Sequence, residues 1–417
     1  MTKNVFMNVF MPADILLPKD VLMEKWSVVA CDQFSSEREY WERVREDVGD
    51  NPSTLNMIIP EAFLEGMDEA EEIKKISEAM AEYVDSGLFR EVRDSFVYVE
   101  RTQPDGRIRR GIVGSVDLEA YDFTCTKAAI RASEGTVLDR LPPRIAIRQS
   151  ARLELPHIMT LIEDKGDGVI GSLSKKAEKL PVLYDFPLME GGGHIRGMQV
   201  TGDDALEVMG AINALHEKNE MLMVMGDGNH SLAAAKVYWD ELKKGLSGEE
   251  RQRHPSRFAL VEVNNVYDDA IDFEAIHRVV FNVDPDKLVS ALERAMPADS
   301  KLSCYNLSWY AQGRSGSIAV AADCVGSMIS VLQEFLDGYA EREGARIDYI
   351  HGLDSVIKLS NPQRCLGLEL PNMEKSDFFA TVAERGVFPK KSFSIGHARD
   401  KRYYLECRKL KMEKGGK

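Results

Sequence analysis

The sequence lacks the features of a membrane or secreted protein. No run approaches the roughly 18 consecutive apolar residues of a spanning helix. The amino terminus, MTKNVFMNVFMPADILLP, lacks a basic region followed by a continuous apolar stretch, which argues against a signal peptide. The six cysteines are dispersed without a C-x-x-C pair, which favours reduced thiols over a zinc knuckle or a disulfide framework. We therefore expect a cytoplasmic protein that does not bind membranes.

An excess of positive charge is also missing. Lysine and arginine number 53 against 68 aspartates and glutamates, a formal charge of −15. Nucleic-acid binding needs clustered cations that neutralise phosphates, so this function is disfavoured. It stays open only for the basic carboxyl-terminal stretch KKSFSIGHARDKRYYLECRKLKMEKGGK, which is expected to be rich in strands. A soluble, acidic chain favours a small-molecule or nucleotide ligand.

Several common catalytic motifs are absent. The eight histidines form no H-x-x-x-H or H-x-H pair, so a dedicated transition-metal site is not expected. There is no G-x-S-x-G elbow and no Walker sequence. These absences do not exclude a catalytic triad that assembles only in space.

Helical and strand-like patterns alternate along the chain, which predicts an α/β or α+β class with mixed sheets and interleaved helices. A long helix is expected between Glu61 and Gly87, and SFVYVER and RGIVGSVDL read as a hairpin. Another helix should open after Asp284. At 417 residues the chain fits two to three domains of about 150 residues each. We expect an amino-terminal α/β domain, a central domain and a carboxyl-terminal α/β domain, over residues 1–120, 121–265 and 266–417.

The most informative stretch is MLMVMGDGNHSLAAAK. The apolar run Met221–Met225 predicts a buried strand, the glycines allow a tight turn, and the alanine-rich part predicts a helix from Ser231, capped by Ser231 or Asn229. A helix amino terminus at a sheet edge attracts anions, so phosphate binding is expected here. The alternative is a purely structural turn. The candidates for phosphate binding are Gly228, Asn229 and Ser231, and the candidates for catalysis are Asp227 and His230.

An arginine-rich segment precedes that turn. It contains Arg131, Arg140, Arg144, Arg148 and Arg152. Guanidinium groups bind phosphate or carboxylate in a bidentate manner, and Arg131, Arg144 and Arg148 are the candidate phosphate ligands. RIAIR is expected to be a strand that places Arg144 and Arg148 on one face. The alternative is a solvated face that pairs with the protein's own acids.

Three further groups could belong to a lid or pocket, and a fourth could act in catalysis. His157, in LELPHIMTLI, is either a pocket residue or a satisfied core histidine. His194 and Arg196, in GGGHIRG, could close over a ligand or simply follow a hairpin turn. Glu134 stands in a predicted turn, where its carboxylate could serve as a base or a metal ligand or could cap a helix.

Long stretches of the chain resemble the domain-of-unknown-function family numbered 1015. They include IRASEGTVLDRLPPRIAIR, LELPHIMTLIED, LYDFPLMEGGGHIRG, GDGNHSLAAAK and FSIGHARDKRYYLECRK, and the resemblance runs over nearly the full length. That family's strand–DGHHR–helix element is similar to the signature of the ParB/sulfiredoxin-like superfamily, whose members bind nucleotide phosphates at the turn. The resemblance implies nucleotide binding and phosphoryl transfer. Where many relatives have His-His-Arg, this chain has Asn229-His230-Ser231, so only Asp227, Gly228 and His230 carry over.

The resulting hypothesis is an enzyme, a kinase or phosphohydrolase, that binds a nucleotide with Mg²⁺ and acts on a small polar molecule. Asp227 or Glu134 would orient Mg²⁺ or accept the substrate proton, and His230 would donate to a phosphate oxygen. The alternative is a noncatalytic protein that senses a nucleotide or another anion. A homo-oligomer is compatible with the sequence.

Overall fold

This computed structural model describes residues 8–64, 66–124, 127–296 and 302–412. Contacts group the chain into two compact units. The first contains the described parts of Met1–Ala132, Thr136–Ile271 and His397–Lys417, and the second contains Ser133–Gly135 and the described parts of Asp272–Gly396. The segments 1–120 and 121–265, which were expected to be separate domains, both contribute strands to the first unit. The division into three domains stays a prediction.

Strands and helices are interleaved along the whole of the described chain. The strands are β1 (Phe10–Met11), β2 (Ala13–Pro18), β3 (Phe89–Thr102), β4 (Ile108–Asp117), β5 (Tyr121–Asp122), β6 (Ile130–Arg131), β7 (Leu153–Glu154), β8 (Met159–Ile162), β9 (Val182–Pro187), β10 (His194–Val200), β11 (Met223–Asp227), β12 (Phe258–Asn265), β13 (Phe273–Ala275), β14 (His277–Phe281), β15 (Ser303–Ala311), β16 (Arg314–Ala322), β17 (Arg346–Ile350), β18 (Cys365–Glu369), β19 (Phe393–Ile395) and β20 (Arg408–Lys409). The α-helices are α1 (Met23–Trp26), α2 (Arg38–Val48), α3 (Glu69–Asp85), α4 (Leu141–Ser150), α5 (Ile170–Ser174), α6 (Gly202–Lys218), α7 (Asn229–Leu242), α8 (Gly248–Arg253), α9 (Pro285–Ala295), α10 (Val325–Glu343), α11 (Leu353–Ser360) and α12 (Lys375–Arg385).

The first unit is built on a mixed sheet in the order β5-β6-β11-β8-β12-β4-β3-β10-β9, with β1 beside β4 and β2 beside β3. The predicted hairpin is present, since β3 and β4 pair antiparallel with Val97 opposite Val113. By contrast β11 runs parallel to β6, and β12 runs parallel to β8. The predicted mixed α/β class, with helices interleaved among the strands, is therefore confirmed.

Both faces of this sheet are covered. Side chains alternate along each strand, so Phe96 and Tyr98 of β3 join one apolar cluster with residues of α5, α6 and α7, while Val97 and Val99 join another with residues of α2. The carboxyl-terminal residues Tyr403–Leu405 lie in this second cluster. A strand buried on both faces needs a near-continuous apolar sequence, which the run Met221–Met225 supplies for β11.

The carboxyl-terminal segment was expected to be strand-rich, and this expectation is largely wrong. Between residues 390 and 412 only β19 and β20 are strands. Residues 401–407 are irregular yet buried, and their backbone is hydrogen-bonded to other parts of the first unit. Trp26 Nε1 donates to the Leu405 carbonyl at 2.9 Å, and Tyr404 N donates to the Val28 carbonyl at 2.8 Å. Arg402 and Arg408 are buried, so these cations do not form an exposed nucleic-acid surface.

Two local predictions also change. The helix expected from Glu61 begins at Glu69, because the Asp68 carboxylate accepts hydrogen bonds from the Ala70 and Glu71 amides and fixes the start there. The strand expected for RIAIR is wrong, since these residues form α4, with prolines in its first turn. Arg144 and Arg148 still share a face, because residues four apart lie one above the other on a helix.

The second unit has its own antiparallel sheet, in the order β16-β15-β18-β14-β17, and a separate pair formed by β13 and β19. The predicted helix after Asp284 is confirmed as α9, and Asp284 caps it by accepting from the Lys287 amide at 3.2 Å. Helices α10 and α12 contact each other.

Candidate functional site

The turn between β11 and α7 is the centre of the candidate site. Gly228 has a φ of +81°, and a Cβ on it would lie 3.0 Å from Ile158 Cγ1 and 3.1 Å from Ile158 Cα. Only glycine satisfies both constraints without strain. Gly228 is also the N-cap, so α7 begins at Asn229, and the expected start at Ser231 with a Ser231 or Asn229 cap is wrong. Ser231 instead lies in the first helical turn.

Asp227 ends β11 and is held on both oxygens. Its Oδ1 accepts from the Gly228 amide at 2.7 Å, and its Oδ2 lies 3.2 Å from Nζ of the buried Lys401. Burial alone would raise the pKa of Asp227, but the charges of Lys401 and His157 and the two hydrogen bonds outweigh burial, so its pKa is lowered. Asp227 is therefore a carboxylate at neutral pH.

The ring of His230 accepts a hydrogen bond from the backbone. Its Nε2 accepts from the Val137 amide at 3.2 Å. An accepting nitrogen carries no proton, so while this bond persists Nδ1 is the ring atom that could donate. The catalytic role expected of His230 stays a prediction, limited to that nitrogen.

The arginine-rich segment meets the turn because α4 packs along α7. Leu141 and Ile145 of α4 form an apolar cluster with Ala233, Ala234 and Val237 of α7. The small alanines let the two helices approach closely. This packing places Arg144 and Arg148 at the wall of a cavity that Ser231 also lines.

That cavity has a volume of about 230 Å³ and lies within the first unit. Most of its wall is apolar, a common property of sites for small organic ligands. The apolar lining comprises Met57, Ile58, Ile59, Leu64, Met80, Pro143, Ile147, Ala151, Leu153, Leu155, Pro156, Ile158, Ala234 and Leu410, and the polar lining comprises Cys31, Glu61, Glu69, Arg144, Arg148, Glu154, His157, Ser231 and Tyr404.

The two arginines in the wall are ion-paired. Arg144 Nη2 lies 2.7 Å from Glu61 Oε1, and Arg148 Nη1 lies 3.2 Å from Glu154 Oε1. Burial tends to raise the pKa of Glu154, but the charges of Arg148 and Arg408 lower it overall. An anion in the cavity would therefore share these arginines with glutamates.

His157 links the turn to the carboxyl-terminal segment. Its Nε2 lies 3.5 Å from Ser231 Oγ, and its Nδ1 lies 2.9 Å from the Tyr404 hydroxyl. The Tyr404 hydroxyl donates in turn to Cys31 Sγ at 3.0 Å. Burial raises the pKa of the Cys31 thiol to about 12, so this thiol is protonated at neutral pH. His157 is buried like a core histidine, and it also lines the cavity.

The sequence reasoning missed several residues of this site. Lys401, Tyr404 and Cys31 are far from the turn along the chain, and nothing beside them indicates a ligand. Glu61 and Glu154 were not predicted, because nothing in the sequence distinguishes them from the other acidic residues, which total 68. The usable signal was His157 itself, since a buried histidine needs polar partners that the local sequence does not supply.

Other predicted residues do not line this cavity. Arg131 is buried in β6, where its Nε donates to the Ala128 carbonyl at 3.0 Å. Glu134 belongs to the second unit and forms an isolated bridge with Phe388. His194 and Arg196 lie on β10 and face Asp185 at 3.2 and 3.6 Å, after the turn that joins β9 to β10.

Within the described ranges, no group of three or more His, Cys, Asp or Glu side chains is placed to hold a metal ion. Over the same residues, no helix combines the length and apolarity that crossing a membrane requires. The cysteines at 31, 304, 324, 365 and 407 are free thiols, and Cys125 lies outside the described residues.

A family model described as "Protein of unknown function (DUF1015)" matches residues 13–410, almost the whole chain. The chain belongs to this family. The match spans both compact units, so the cavity, α4, α7 and the buried carboxyl-terminal segment all lie within the family's extent. A comparison with curated proteins finds no match.

Several solved structures are distantly similar to this chain. A conserved hypothetical protein from Pyrococcus furiosus has 10% identity over 71% of this chain and 94% of that chain, with a TM-score of 0.35. A free serine kinase in complex with AMP has 9% identity over 71% and 91%, with a TM-score of 0.37. SbnI with a C-terminal truncation, from Staphylococcus aureus, has 10% identity over 59% and 83%, with a TM-score of 0.28. TM-scores this low transfer no activity, and the ParB/sulfiredoxin-like resemblance stays a prediction.

Proposed function

We propose that the cavity between α4 and α7 binds a small phosphorylated molecule, with a nucleotide as the first candidate, and that the protein transfers or hydrolyses a phosphoryl group there. One observation carries this proposal. The packing of α4 on α7 gathers Arg144, Arg148, His157 and Ser231 around a single cavity.

Two physical features support an anionic ligand with an apolar part. The first turn of α7 contributes the positive end of a helix dipole, which favours a phosphate near Ser231. Arg144 and Arg148 contribute guanidinium groups to the cavity wall, and the apolar lining can accept a base or another ring.

Under this proposal each polar residue has a defined task. Arg144 and Arg148 orient the phosphate, and the Ser231 amide in the first turn of α7 compensates its charge, whereas Asn229 does not line the cavity. His157 contacts Ser231 directly and is the best-placed proton acceptor. The earlier candidates Gly228, Asp227 and His230 shape the turn.

A nucleotide would commonly bring Mg²⁺, for which Asp227 and Glu134 were the candidate ligands. Asp227 does not fit a dedicated metal site, because Lys401 and the Gly228 amide occupy its oxygens. Glu134 lies in the other unit. We therefore assign no step to a metal ion.

A second candidate is a noncatalytic nucleotide or anion sensor. It is favoured by the pairing of Arg144 with Glu61 and of Arg148 with Glu154. Because each guanidinium group is already paired with a carboxylate, it has less positive charge left to stabilise the negative charge that develops during phosphoryl transfer. It can still orient a bound anion.

The test is thermal unfolding of the full chain with ATP, ADP, CTP, GTP, pyrophosphate and inorganic phosphate, each with and without Mg²⁺. A ligand at about 100 times its Kd stabilises by about 2.7 kcal/mol, which is a shift of a few degrees. Arg144→Met should lose the shift. Arg152→Met is the matched control, because Arg152 belongs to the same segment, pairs with Asp85 and does not line the cavity.

Ligands that stabilise the protein are then assayed for phosphate release and for transfer to serine, homoserine and other small alcohols. Stabilisation with turnover supports the enzyme, and stabilisation without turnover supports the sensor. If no phosphate compound raises the Tm, or if Arg144→Met and Arg152→Met respond alike, the cavity does not bind phosphate.

A further inference from the structure

We infer that Ser231 is a nucleophile, that His157 is its general base, and that the protein works through a covalent intermediate on Ser231. The inference deepens the proposed function and rests on it for one element, the phosphorylated electrophile. The nucleophile itself is argued from the hydrogen-bond chain that runs from Ser231 through His157 and Tyr404 to Cys31.

The direction of that chain fixes the protonation of His157. The Tyr404 hydroxyl donates its only hydrogen to Cys31 Sγ at 3.0 Å. Its oxygen can then only accept from His157 Nδ1, 2.9 Å away, so the proton of a neutral imidazole sits on Nδ1. Nε2 is left with a lone pair, and the group that faces it is the Ser231 hydroxyl at 3.5 Å.

This is the arrangement that a serine nucleophile requires. The base accepts the hydroxyl proton on one ring nitrogen, while the other nitrogen is held by a third group. Here Tyr404 is the positioning residue, and its ring meets the imidazole edge-on at a centroid distance of 5.3 Å. The Ser231–His157 distance is long for a hydrogen bond, as is common before a substrate tightens the site.

The surroundings suit a proton transfer to His157. The imidazole is buried except toward the cavity that it lines. An imidazolium formed during reaction would be stabilised by the Asp227 carboxylate, whose pKa a positive charge on His157 lowers. Ser231, His157 and Tyr404 all line the cavity, so an electrophile bound there reaches the hydroxyl.

The first step joins Ser231 Oγ to the phosphorus of the bound molecule, while the bond from phosphorus to the leaving oxygen breaks. The Ser231 proton moves to His157 Nε2 and then to the leaving oxygen. In the second step water or an acceptor alcohol attacks the phosphoserine, His157 takes its proton, and Ser231 departs with a proton returned from His157. No oxidant or reductant is needed.

An alkyl fluorophosphonate tests the nucleophile without knowledge of the substrate. Ser231 Oγ would displace fluoride from its phosphorus, and intact-mass and peptide mass spectrometry would locate the adduct. We expect labelling of Ser231 in the folded full-length chain and none in Ser231→Ala. The control is Ser86→Ala, an exposed serine at the end of α3, which should label at the wild-type rate.

The base is tested by rescue, which a merely structural histidine would not show. His157→Ala should label at least about 100-fold more slowly, and added imidazole should restore part of the rate. Tyr404→Phe removes the partner of Nδ1 and should lower the maximal labelling rate more than the apparent affinity for the probe. Melting curves establish that each variant is folded.

Labelling at another residue, no adduct on folded wild-type protein, or an unchanged rate in His157→Ala would each overturn the inference. The outcome is independent of the nucleotide screen. If the wild-type protein is stabilised by a nucleotide but is not labelled, only the role of Ser231 as a nucleophile is overturned. If it is labelled but no phosphate compound raises its Tm, only the proposed substrate class is overturned.

Discussion

Lys401 Nζ lies 3.2 Å from Oδ2 of Asp227, and this ion pair joins the buried carboxyl-terminal segment to the turn before α7. Tyr404, three residues after Lys401, reaches the same region through His157. The segment from 401 to 404 therefore supplies two polar contacts of the candidate site while it completes the apolar core around Tyr403. Stability and site geometry should respond together to changes in these residues.

Replacing Lys401 should expose that coupling. Lys401→Met leaves the Asp227 carboxylate in a mostly buried position without its cation, and we expect a loss of about 3 kcal/mol in the free energy of unfolding. The double variant Lys401→Met with Asp227→Asn should recover most of it, because no buried charge remains. Urea unfolding of the four proteins in this cycle measures the coupling, and additive losses would contradict it.

The lowered pKa of Asp227 predicts a pH dependence with a definite sign. The folded-state pKa is below the unfolded value, for which 3.8 is the reference, so ionised Asp227 contributes stability above about pH 3.8. That contribution is lost as the pH falls through the folded-state pKa. The stability difference between wild type and Asp227→Asn should be constant from pH 5 to 7 and shrink below pH 4. A difference that grows on acidification would be inconsistent with this pairing.

Gly228 should tolerate no side chain. Gly228→Ala forces a Cβ against Ile158 at a positive φ and should cost about 1–3 kcal/mol. Gly210 is the matched control, since it lies within α6 with open space around it, and Gly210→Ala should stabilise by about 0.5–1 kcal/mol. Chemical denaturation measures both, and equal effects would contradict the argument from conformation.

The stability of the protein should depend strongly on Arg402, the cation of a buried charge network. Arg402 lies 3.1 Å from Glu262 and 2.6 Å from Glu406, and all three side chains are buried. Arg402→Met would remove the guanidinium that pairs with both buried carboxylates and leave Glu406 with the Tyr184 hydroxyl as a neutral partner, and it should cost about 3–5 kcal/mol. Arg399→Met, in the same segment but exposed, should change stability by less than about 0.5 kcal/mol. A mild effect of Arg402→Met would mean that the glutamates find other partners.

Cys31 should resist alkylation in the native state. With a pKa of about 12, roughly one thiol in ten thousand is ionised at pH 8, and only the thiolate reacts. Iodoacetamide should therefore modify the exposed Cys304 and leave Cys31 intact until urea is added. Peptide mass spectrometry measures the modification at each cysteine, and rapid native labelling of Cys31 would show that burial does not keep this thiol protonated.

Much of the secondary structure could be predicted, because the hydrophobic periodicity and the turn residues of a segment agree with the strand or helix that it forms. The hairpin of β3 and β4, the buried strand β11 and the capped helix α9 all follow from periodicity and turn residues. RIAIR was misread because an alternation over five residues also fits one face of a helix, and its packing against Ala233 and Ala234 decides for the helix. The start of α7 was misplaced because Gly228 provides the cap through its positive φ rather than through a side chain.

By itself the sequence determined several of the elements, the mixed α/β class and the position of the turn, because these depend on neighbours along the chain. It also identified Ser231 and His157 as candidate site residues. Only the tertiary structure decided that His157 contacts Ser231 and that Tyr404 and Lys401 complete their surroundings. These contacts join residues that are far apart along the chain, from 74 positions for His157 and Ser231 to 247 for His157 and Tyr404, and such pairs are formed by packing and buried hydrogen bonding rather than by local pattern.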